Sequence, residues 1–475
     1  MEWINLRLRK NFVLILLLLT AGYFALPDGL FASEAAHGAD EAAGGGHGTG
    51  VAVIFVWIAI LLMSAKVSSL IERVGQPAVL GELLIGVLLG SLYLFGVQFF
   101  EPIKSSEIIH FLAELGVVIL LFQIGMESSV STMVKVGVPS FLVACVGVIL
   151  PFVATIYFAG PILMPGLSST AYLFLGATLT ATSVGITARV LKDLGKSDTA
   201  ESRIIIGAAV IDDVLGLIIL AIVSAIVIKG SIDIGSLSII IVKAVGFLGG
   251  SILLGTWLAP RISRFFSAIH TGLGMKFALV ISFGLIFAYL AALMGLAPIV
   301  GAFAAGLVLT PVYFDEFQES PFVDDLKTAM KDEQINGPFG KKLNDIIHKH
   351  SHKHIEVFVE HLGHFMIPIF FVLTGMQVKV DALADPQIII MALGVTVVAI
   401  VTKVAAGWMA GKGVNKLAVG VGMVPRGEVG LIFANMGKAM GVMDDAVFSA
   451  IVVVIMLTTL VTPPVLALVL KRVKA

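Results

Sequence analysis

The sequence has few charged residues and almost no cysteine. Charged side chains make up 13% of the 475 residues and hydrophobic ones 58%, with a mean hydropathy of +1.03. Soluble globular proteins contain about 25% charged residues, so this composition excludes that class and indicates neither a nucleic-acid partner nor a cofactor. The single cysteine, Cys145, excludes an intrachain disulfide and a cysteine-based metal or redox site. We therefore expect an all-α polytopic membrane protein embedded in a lipid bilayer.

Residues 1–33 have the layout of a secretory signal peptide. Basic residues at positions 7, 9 and 10 precede an apolar run over 12–26, and small residues follow Pro27. An uncleaved first span is the alternative interpretation of this segment. Residues 34–50, rich in Ala, Gly and His, are typical of a flexible linker, so the transmembrane domain is expected over 51–475.

The hydrophobic segments after the linker predict about thirteen transmembrane helices. They cover approximately residues 51–71, 77–96, 107–126, 137–160, 169–190, 203–229, 235–258, 275–294, 297–312, 363–378, 387–409, 416–440 and 447–471. The loops on one side carry about twenty Lys and Arg and those on the other side about four. This bias predicts a multi-pass bacterial inner-membrane protein whose C-terminus lies in the cytoplasm.

Two adjacent carboxylates, Asp212 and Asp213, interrupt an apolar run from Ile204 to Ile228. A charge at bilayer depth costs about 2.5–3.5 kcal/mol on insertion scales, so ionisable residues there tend to line an ion or proton path. The alternative interpretation is a structural ion pair between helices. Such a pair needs one carboxylate, and this run contains two.

Two further segments are unlike ordinary membrane helices. The first, over 176–188, contains glycines together with Thr180, Thr182 and Ser183; the second, over 420–430, contains Pro425, Arg426 and Glu428. Interruptions at matching positions in two halves predict inverted-topology repeats, spans 4–6 and 11–13, whose two broken helices cross and line a midplane site. The alternative is that Gly, Pro and Thr are simply common in membrane helices.

Two more charged residues are predicted to face the polar interior. Lys403 lies in the eleventh span, where it either pairs with Asp212 or extends along its own helix to the cytoplasmic surface. Glu82, in the second span, is assigned to the polar groups that support the broken helices.

Several runs closely resemble one transporter family. They are Gln-Pro-Ala-Val-Leu-Gly-Glu82, Leu-Gly-Val-Val-Ile-Leu-Leu-Phe-Gln-Ile-Gly-Met-Glu127, Ala-Thr-Ser-Val-Gly-Ile-Thr-Ala-Arg189, Gly-Ala-Ala-Val-Ile-Asp212-Asp213, Leu-Ala-Pro298-Ile-Val-Gly-Ala-Phe and Val-Gly-Met-Val-Pro425-Arg426-Gly-Glu428. The chain is similar to bacterial NapA-type sodium/proton antiporters of the monovalent cation/proton antiporter superfamily over nearly all of residues 50–470. This resemblance implies a homodimer of thirteen-span subunits, in each of which a core domain moves past a dimerisation domain.

The resemblance also implies roles for individual residues. It identifies Asp213 as the ion-binding aspartate, Asp212 as its neighbour and Lys403 as the lysine that pairs with that neighbour. It places the crossing of the two unwound helices near Thr182 and Pro425. The Asp-Asp pair resembles that of the electrogenic, sodium-selective branch of the superfamily. Independently, a hard cation such as Na⁺ needs oxygen ligands, which Asp213, the hydroxyls of Thr182 and Ser183 and freed main-chain carbonyls can supply.

We therefore expect a secondary antiporter that exchanges Na⁺, with Li⁺ as a further candidate, for H⁺ by alternating access, with no metal other than the transported cation. A K⁺/H⁺ antiporter is the first alternative, because sequence does not fix cation selectivity. A cation channel or a sensor on the same scaffold is the second. A hydrolase with Asp212 and Asp213 as a catalytic dyad fits poorly, since adjacent helical residues point about 100° apart.

The segment 313–361 is predicted to be a charged cytoplasmic insertion. Its histidines at 348, 350, 352 and 354 are spaced so that alternate ones lie one helical turn apart. An amphipathic helix on the membrane surface, a pH-sensing cluster and a transition-metal site are the three interpretations, in that order.

Overall fold

A computed structural model describes residues 47–74, 76–127, 137–194, 196, 199–229, 234–309, 317, 354–381 and 385–470. These ranges are helical with short connections, and they contain no β-strand. Nearly all of the predicted signal peptide and linker, and nearly all of the insertion 313–361, including His348, His350 and His352, lie outside the described residues.

The structure describes fifteen main helices. They are α1 His47–Ser68, α2 Ala78–Ser91, α3 Glu107–Glu127, α4 Gly137–Ala154, α5 Ser169–Thr178, α6 Val184–Asp193, α7 Ala200–Lys229, α8 Ile234–Ile269, α9 Leu273–Leu293, α10 Pro298–Val308, α11 His354–Met376, α12 Pro386–Ala406, α13 Lys416–Gly422, α14 Glu428–Ala439 and α15 Asp445–Leu470. Helix α4 continues through a π-helical turn, Thr155–Ala159, and one further turn to Leu163.

Ten helices of the described chain are long and apolar enough to cross a membrane. They are α1–α4, α7–α9, α11, α12 and α15, whereas Pro298–Val308 is a shorter apolar helix. The polytopic all-helical architecture is thereby confirmed. The number of thirteen crossings stays a prediction, because it also requires α10 and the two interrupted segments to cross.

The two interrupted segments are broken where the sequence predicts. Helix α5 ends at Thr178 and α6 begins at Val184, and the residues between them are not helical. Helix α13 ends at Gly422 and α14 begins at Glu428. Each segment is therefore a pair of half-helices joined by about five extended or turn residues.

The helices pack as two bundles. The bundle that contains both interrupted segments, called the site bundle here, comprises α4–α7 and α12–α15, which pack mainly against one another. The flanking bundle comprises α1–α3 and α8–α11, with α3 against α10 and α11, and α2 against α11. Contacts of α7 with α8 join the two bundles.

Glycines allow helices of the flanking bundle to approach very closely. A Cβ added to Gly86 of α2 would lie 2.9 Å from the Cα of Gly375 in α11. A Cβ added to Gly306 of α10 would lie 2.8 Å from the carbonyl carbon of Gly125 in α3. Small residues at such contacts let membrane helices pack closely and gain packing energy.

Candidate functional site

The two aspartates lie near the middle of α7 and are buried. Asp212 is 0% exposed and Asp213 is 3% exposed. Gly216 follows them by four and three residues and therefore lies on the same face of the helix. A Cβ added to Gly216 would lie 3.8 Å from the Thr180 hydroxyl, so this face of α7 packs against the break between α5 and α6.

Lys403 of α12 points to this face and not along its helix to the surface. Its Nζ lies 3.1 Å from Oδ1 and 3.3 Å from Oδ2 of Asp212, and the lysine is 0% exposed. It also interacts electrostatically with Asp213. A buried lysine needs such partners because transferring an isolated ammonium out of water costs several kcal/mol.

Thr182 connects Lys403 to both breaks. Its hydroxyl accepts a hydrogen bond from Lys403 Nζ at 2.7 Å and donates one to the main-chain carbonyl of Met423 at 3.2 Å. Thr182 belongs to the first break and Met423 to the second. One hydroxyl therefore links the lysine, and through it Asp212, to the loops of both interrupted segments.

The two interrupted segments contact each other through hydrogen bonds to main-chain carbonyls. The Ser183 N–H donates to the Pro425 carbonyl at 2.8 Å, and the Thr187 hydroxyl donates to the Gly422 carbonyl at 2.7 Å. Unwound backbone at membrane depth must find partners inside the protein, since lipid offers none. In both of these bonds the donor belongs to the first interrupted segment and the acceptor to the second.

Arg426 neutralises the ends of the half-helices. Its guanidinium donates to the carbonyls of Leu179, at 2.5 Å, and Val424, at 3.0 Å, and it is 0% exposed. Leu179 caps the C-terminal end of α5, where unpaired carbonyls carry partial negative charge. Arg426 also interacts electrostatically with Asp212, so one carboxylate lies near two cationic side chains.

Three further predicted residues are Thr180, Glu428 and Glu82. The Thr180 hydroxyl donates to Ala177 within its own turn, at 2.7 Å. Glu428 begins α14, and its side chain lies outside the described part of the structure. Glu82 is buried in α2 of the flanking bundle, which packs on α1 and α11. The structure therefore places Glu82 in the other bundle from the broken segments, and its assignment to their support stays a prediction.

Sequence reasoning missed two hydroxyls that hold the breaks. Thr187 lies within the hydroxyl-rich segment, so its composition could have indicated it. Thr459 of α15 donates to the carbonyl of Arg426, and nothing in its apolar surroundings distinguishes it from a threonine bonded to its own helix. Gly147 of α4 was also missed. A Cβ added to it would lie 3.6 Å from Lys403 Nζ, so the glycine leaves space for the lysine side chain.

The arrangement combines two carboxylates, two cations and several neutral oxygens in a space without bulk water. Carboxylate, hydroxyl and main-chain carbonyl oxygens are the ligands of a hard monovalent cation, and a carboxylate can hold a proton instead. The geometry is therefore suited to binding a cation and a proton alternately.

Comparison with known proteins identifies the family. The profile of the transmembrane sodium/hydrogen exchanger family matches residues 53–331 and 336–472. The high-affinity Na⁺/H⁺ antiporter NhaS3 of Synechocystis is 37% identical over 428 residues, which are 82% of this chain and 84% of that protein. The Na⁺/H⁺-K⁺ antiporter GerN of Bacillus cereus is 36% identical over 87% of this chain and 95% of that protein.

Two further comparisons agree with this. A Na⁺/H⁺ antiporter of Enterococcus hirae is 30% identical over 89% of this chain and 99% of that protein. The solved structure of the sodium/proton antiporter MjNhaP1 from Methanocaldococcus jannaschii superposes with a TM-score of 0.60 over 89% of this chain and 99% of that chain, at 15% identity, which shows a shared fold. The chain therefore belongs to the sodium/hydrogen exchanger family, whose members are multi-pass membrane transporters rather than enzymes.

Proposed function

We propose that this protein exchanges Na⁺ for H⁺ across the bacterial inner membrane, with both ions competing for Asp213. The observation that carries the proposal is the placement of two buried carboxylates in the middle of α7, on a face that packs against the break between α5 and α6 and carries the Asp212–Lys403–Thr182 contacts. A carboxylate that binds either ion but not both couples the two fluxes. Each time the site changes the side of the membrane to which it is open, it carries whichever ion is bound.

The relatives support Na⁺ as the cation. Three of them, from Synechocystis, Bacillus cereus and Enterococcus hirae, are named as Na⁺/H⁺ antiporters. The name of GerN also includes K⁺, so K⁺ is the alternative cation to be tested beside Na⁺ and Li⁺. A channel or a sensor on this scaffold would not transport an ion against its gradient, which separates those alternatives by experiment.

Lys403 supplies a second exchangeable proton in this proposal. In the structure its ammonium is held by Asp212 and Thr182. When a cation binds and engages Asp212, the ion pair is broken, and the buried ammonium loses the partner that stabilises its charge. Release of its proton would then make the exchange two protons for one Na⁺, and hence electrogenic.

Further parts of the proposal concern architecture. The order of a long helix, a broken segment and a long helix occurs twice, as α4–α7 and as α12–α15, which supports inverted repeats and thirteen crossings. We propose that the site bundle moves past the flanking bundle to give alternating access. Homodimerisation, the cytoplasmic C-terminus and the narrower NapA-type assignment follow from the resemblance and from the charge bias of the loops.

The test uses purified protein in liposomes with an imposed proton gradient and an internal pH dye. Na⁺, Li⁺ and K⁺ are added in turn, with the membrane potential either clamped or free to build. We expect Na⁺ and Li⁺, but not K⁺, to dissipate the gradient, and to do so faster when the potential is clamped. A response to K⁺ alone would assign the protein to potassium exchange, and no response from folded protein would support the channel or sensor.

A matched pair of variants links the activity to the site. Asp213→Asn should abolish exchange. Asp444→Asn makes the same substitution at an exposed position. Asp444 caps α15 by accepting a hydrogen bond from the Val447 N–H, and an asparagine side chain can accept the same bond. This control should exchange at the wild-type rate. Exchange that survives in Asp213→Asn would refute the assigned carrier.

A further inference from the structure

A cavity of about 820 Å³ opens between the two bundles. Helices α3, α10 and α11 of the flanking bundle and α14 of the site bundle form its walls. Its mouth is lined by Glu101, Lys104, Lys379, Lys438 and Asp445, which lie in or beside the connections that the charge bias assigns to the outer side of the membrane.

The floor of the cavity is apolar. Following each wall helix away from the mouth, the last lining residues are Val117 and Val118 of α3, Ile299 of α10, Phe370 of α11 and Ile432 of α14. The residue after Ile432 packs towards the site: a Cβ added to Gly216, one turn beyond the aspartates, would lie 3.8 Å from the ring of Phe433. The floor therefore separates the cavity from Asp213.

Three polar side chains lie one helical turn nearer the mouth of the cavity than this floor. Glu114 precedes Val117 by three residues, Thr374 follows Phe370 by four, and Asn435 follows Ile432 by three, and all three line the cavity. At 1.5 Å of rise per residue, each lies about 4.5–6 Å nearer the mouth than the floor. Three helices thus present oxygen-bearing side chains to the cavity, each about one turn nearer the mouth than the apolar floor residue of the same helix.

Asn435 and Thr374 are already oriented. The Asn435 amide nitrogen donates to the Thr374 hydroxyl at 3.1 Å and to the Leu431 carbonyl at 3.0 Å, which uses both of its protons. Its Oδ1 accepts no hydrogen bond from a described residue. The first of these bonds also joins the site bundle to the flanking bundle across the cavity.

Glu114 is the acidic group of the cavity that is not neutralised by a described neighbour. Glu101 pairs with Lys104 at 2.6 Å, and Asp445 pairs with Lys438 at 2.8 Å and interacts with Lys379 as well. Glu114 is exposed to the cavity and forms no ion pair with the residues that the structure describes. Its negative charge is available to a cation.

We propose that Glu114, the amide oxygen of Asn435 and the hydroxyl of Thr374 form a second, transient site for a monovalent cation. A Na⁺ entering from the mouth exchanges part of its hydration shell for these oxygens before the apolar floor opens towards Asp213. Because the ligands come from both bundles, movement of one bundle past the other separates them and releases the ion. This inference rests on the proposed function, since it places an entry step before the exchange site.

The test compares the two faces of the membrane. In right-side-out vesicles Na⁺ is offered to the mouth of the cavity, and in everted vesicles to the opposite face. Glu114→Gln should raise the KM for Na⁺ at the cavity face roughly tenfold, the size expected for one carboxylate in a low-dielectric cleft, and leave the maximal rate unchanged. The KM at the opposite face should stay within about twofold of wild type. Glu114→Asp, which keeps the charge, should restore most of the low KM.

Glu107→Gln is the matched control, because Glu107 is exposed in the first turn of the same helix and does not line the cavity. It should change neither KM. An equal loss of rate at both faces in Glu114→Gln would show a structural role and overturn the proposal, as would an unchanged KM at both. Failure of the wild-type protein to exchange Na⁺ would instead refute the proposed function, so the two failures are distinguishable.

Discussion

Lys403 of α12 and Asp212 of α7 form a fully buried ion pair, with 3.1 Å between Nζ and Oδ1. The pair joins α12 to the helix that carries both aspartates. Neither side chain is exposed to solvent. Removing one partner of such a pair leaves a desolvated charge, whereas removing both leaves two neutral groups. The stability cost of removing one partner can therefore be separated from the role in exchange that we propose for the pair.

The first prediction is a double-mutant cycle on this pair. Lys403→Met and Asp212→Asn should each lower the free energy of unfolding by about 3–5 kcal/mol, the usual cost of leaving one buried charge unpaired. The double variant should recover most of that loss. Thermal unfolding in detergent measures all four proteins. Additive losses in the double variant would mean that the two side chains do not interact, contrary to the structure.

The second prediction concerns Thr182. Thr182→Val removes the hydroxyl that Lys403 and the Met423 carbonyl share, so we expect the KM for Na⁺ to rise about fivefold to tenfold, equivalent to about 1–1.4 kcal/mol. Thr182→Ser keeps the hydroxyl and should keep the KM. Thr402→Val is the control, because Thr402 is next to Lys403 but donates to the Val398 carbonyl of its own helix. A similar rise in that control would show a general packing effect.

The breaks were predictable from sequence because their cause is local. Glycine, proline and hydroxyl residues between 176 and 188 and between 420 and 430 weaken the helix where they stand. A lysine and two aspartates in apolar runs also require partners of opposite charge. The sequence therefore predicts a pair between Lys403 and Asp212.

What the sequence does not reveal are partners that depend on the path of the backbone. Arg426 donates to the Leu179 carbonyl, and Thr459 donates to the Arg426 carbonyl. A carbonyl group is present at every residue, so no residue type indicates which one is used. The bundle in which Glu82 lies was not predictable for a related reason: a carboxylate in an apolar run indicates a polar neighbourhood, but not which of two bundles supplies it.

The third prediction tests close packing in the flanking bundle. Gly306→Ala would place its Cβ 2.7 Å from the main-chain nitrogen of Met126, so α3 and α10 must separate. We expect a loss of about 1–3 kcal/mol, as for other overpacked cores. Gly246→Ala is the matched control, since nothing lies within 4 Å of its added Cβ, and alanine in a helix should be neutral or stabilising. Equal unfolding temperatures for the two variants would contradict the observed helix contact.

The last prediction follows from competition between Na⁺ and H⁺ for Asp213. A proton on the carboxylate excludes the cation, so lowering the pH must raise the apparent KM for Na⁺. Where Asp213 is mostly protonated, the proton displaced from this carboxylate should by itself make the KM rise roughly tenfold per pH unit, and the proton released from Lys403 should steepen the rise further. Initial rates of exchange across a range of Na⁺ concentrations, measured at several pH values with the membrane potential clamped, give this slope. A KM that does not change with pH would mean that the two ions bind at separate sites, and coupling would then require a conformational link between them instead of competition.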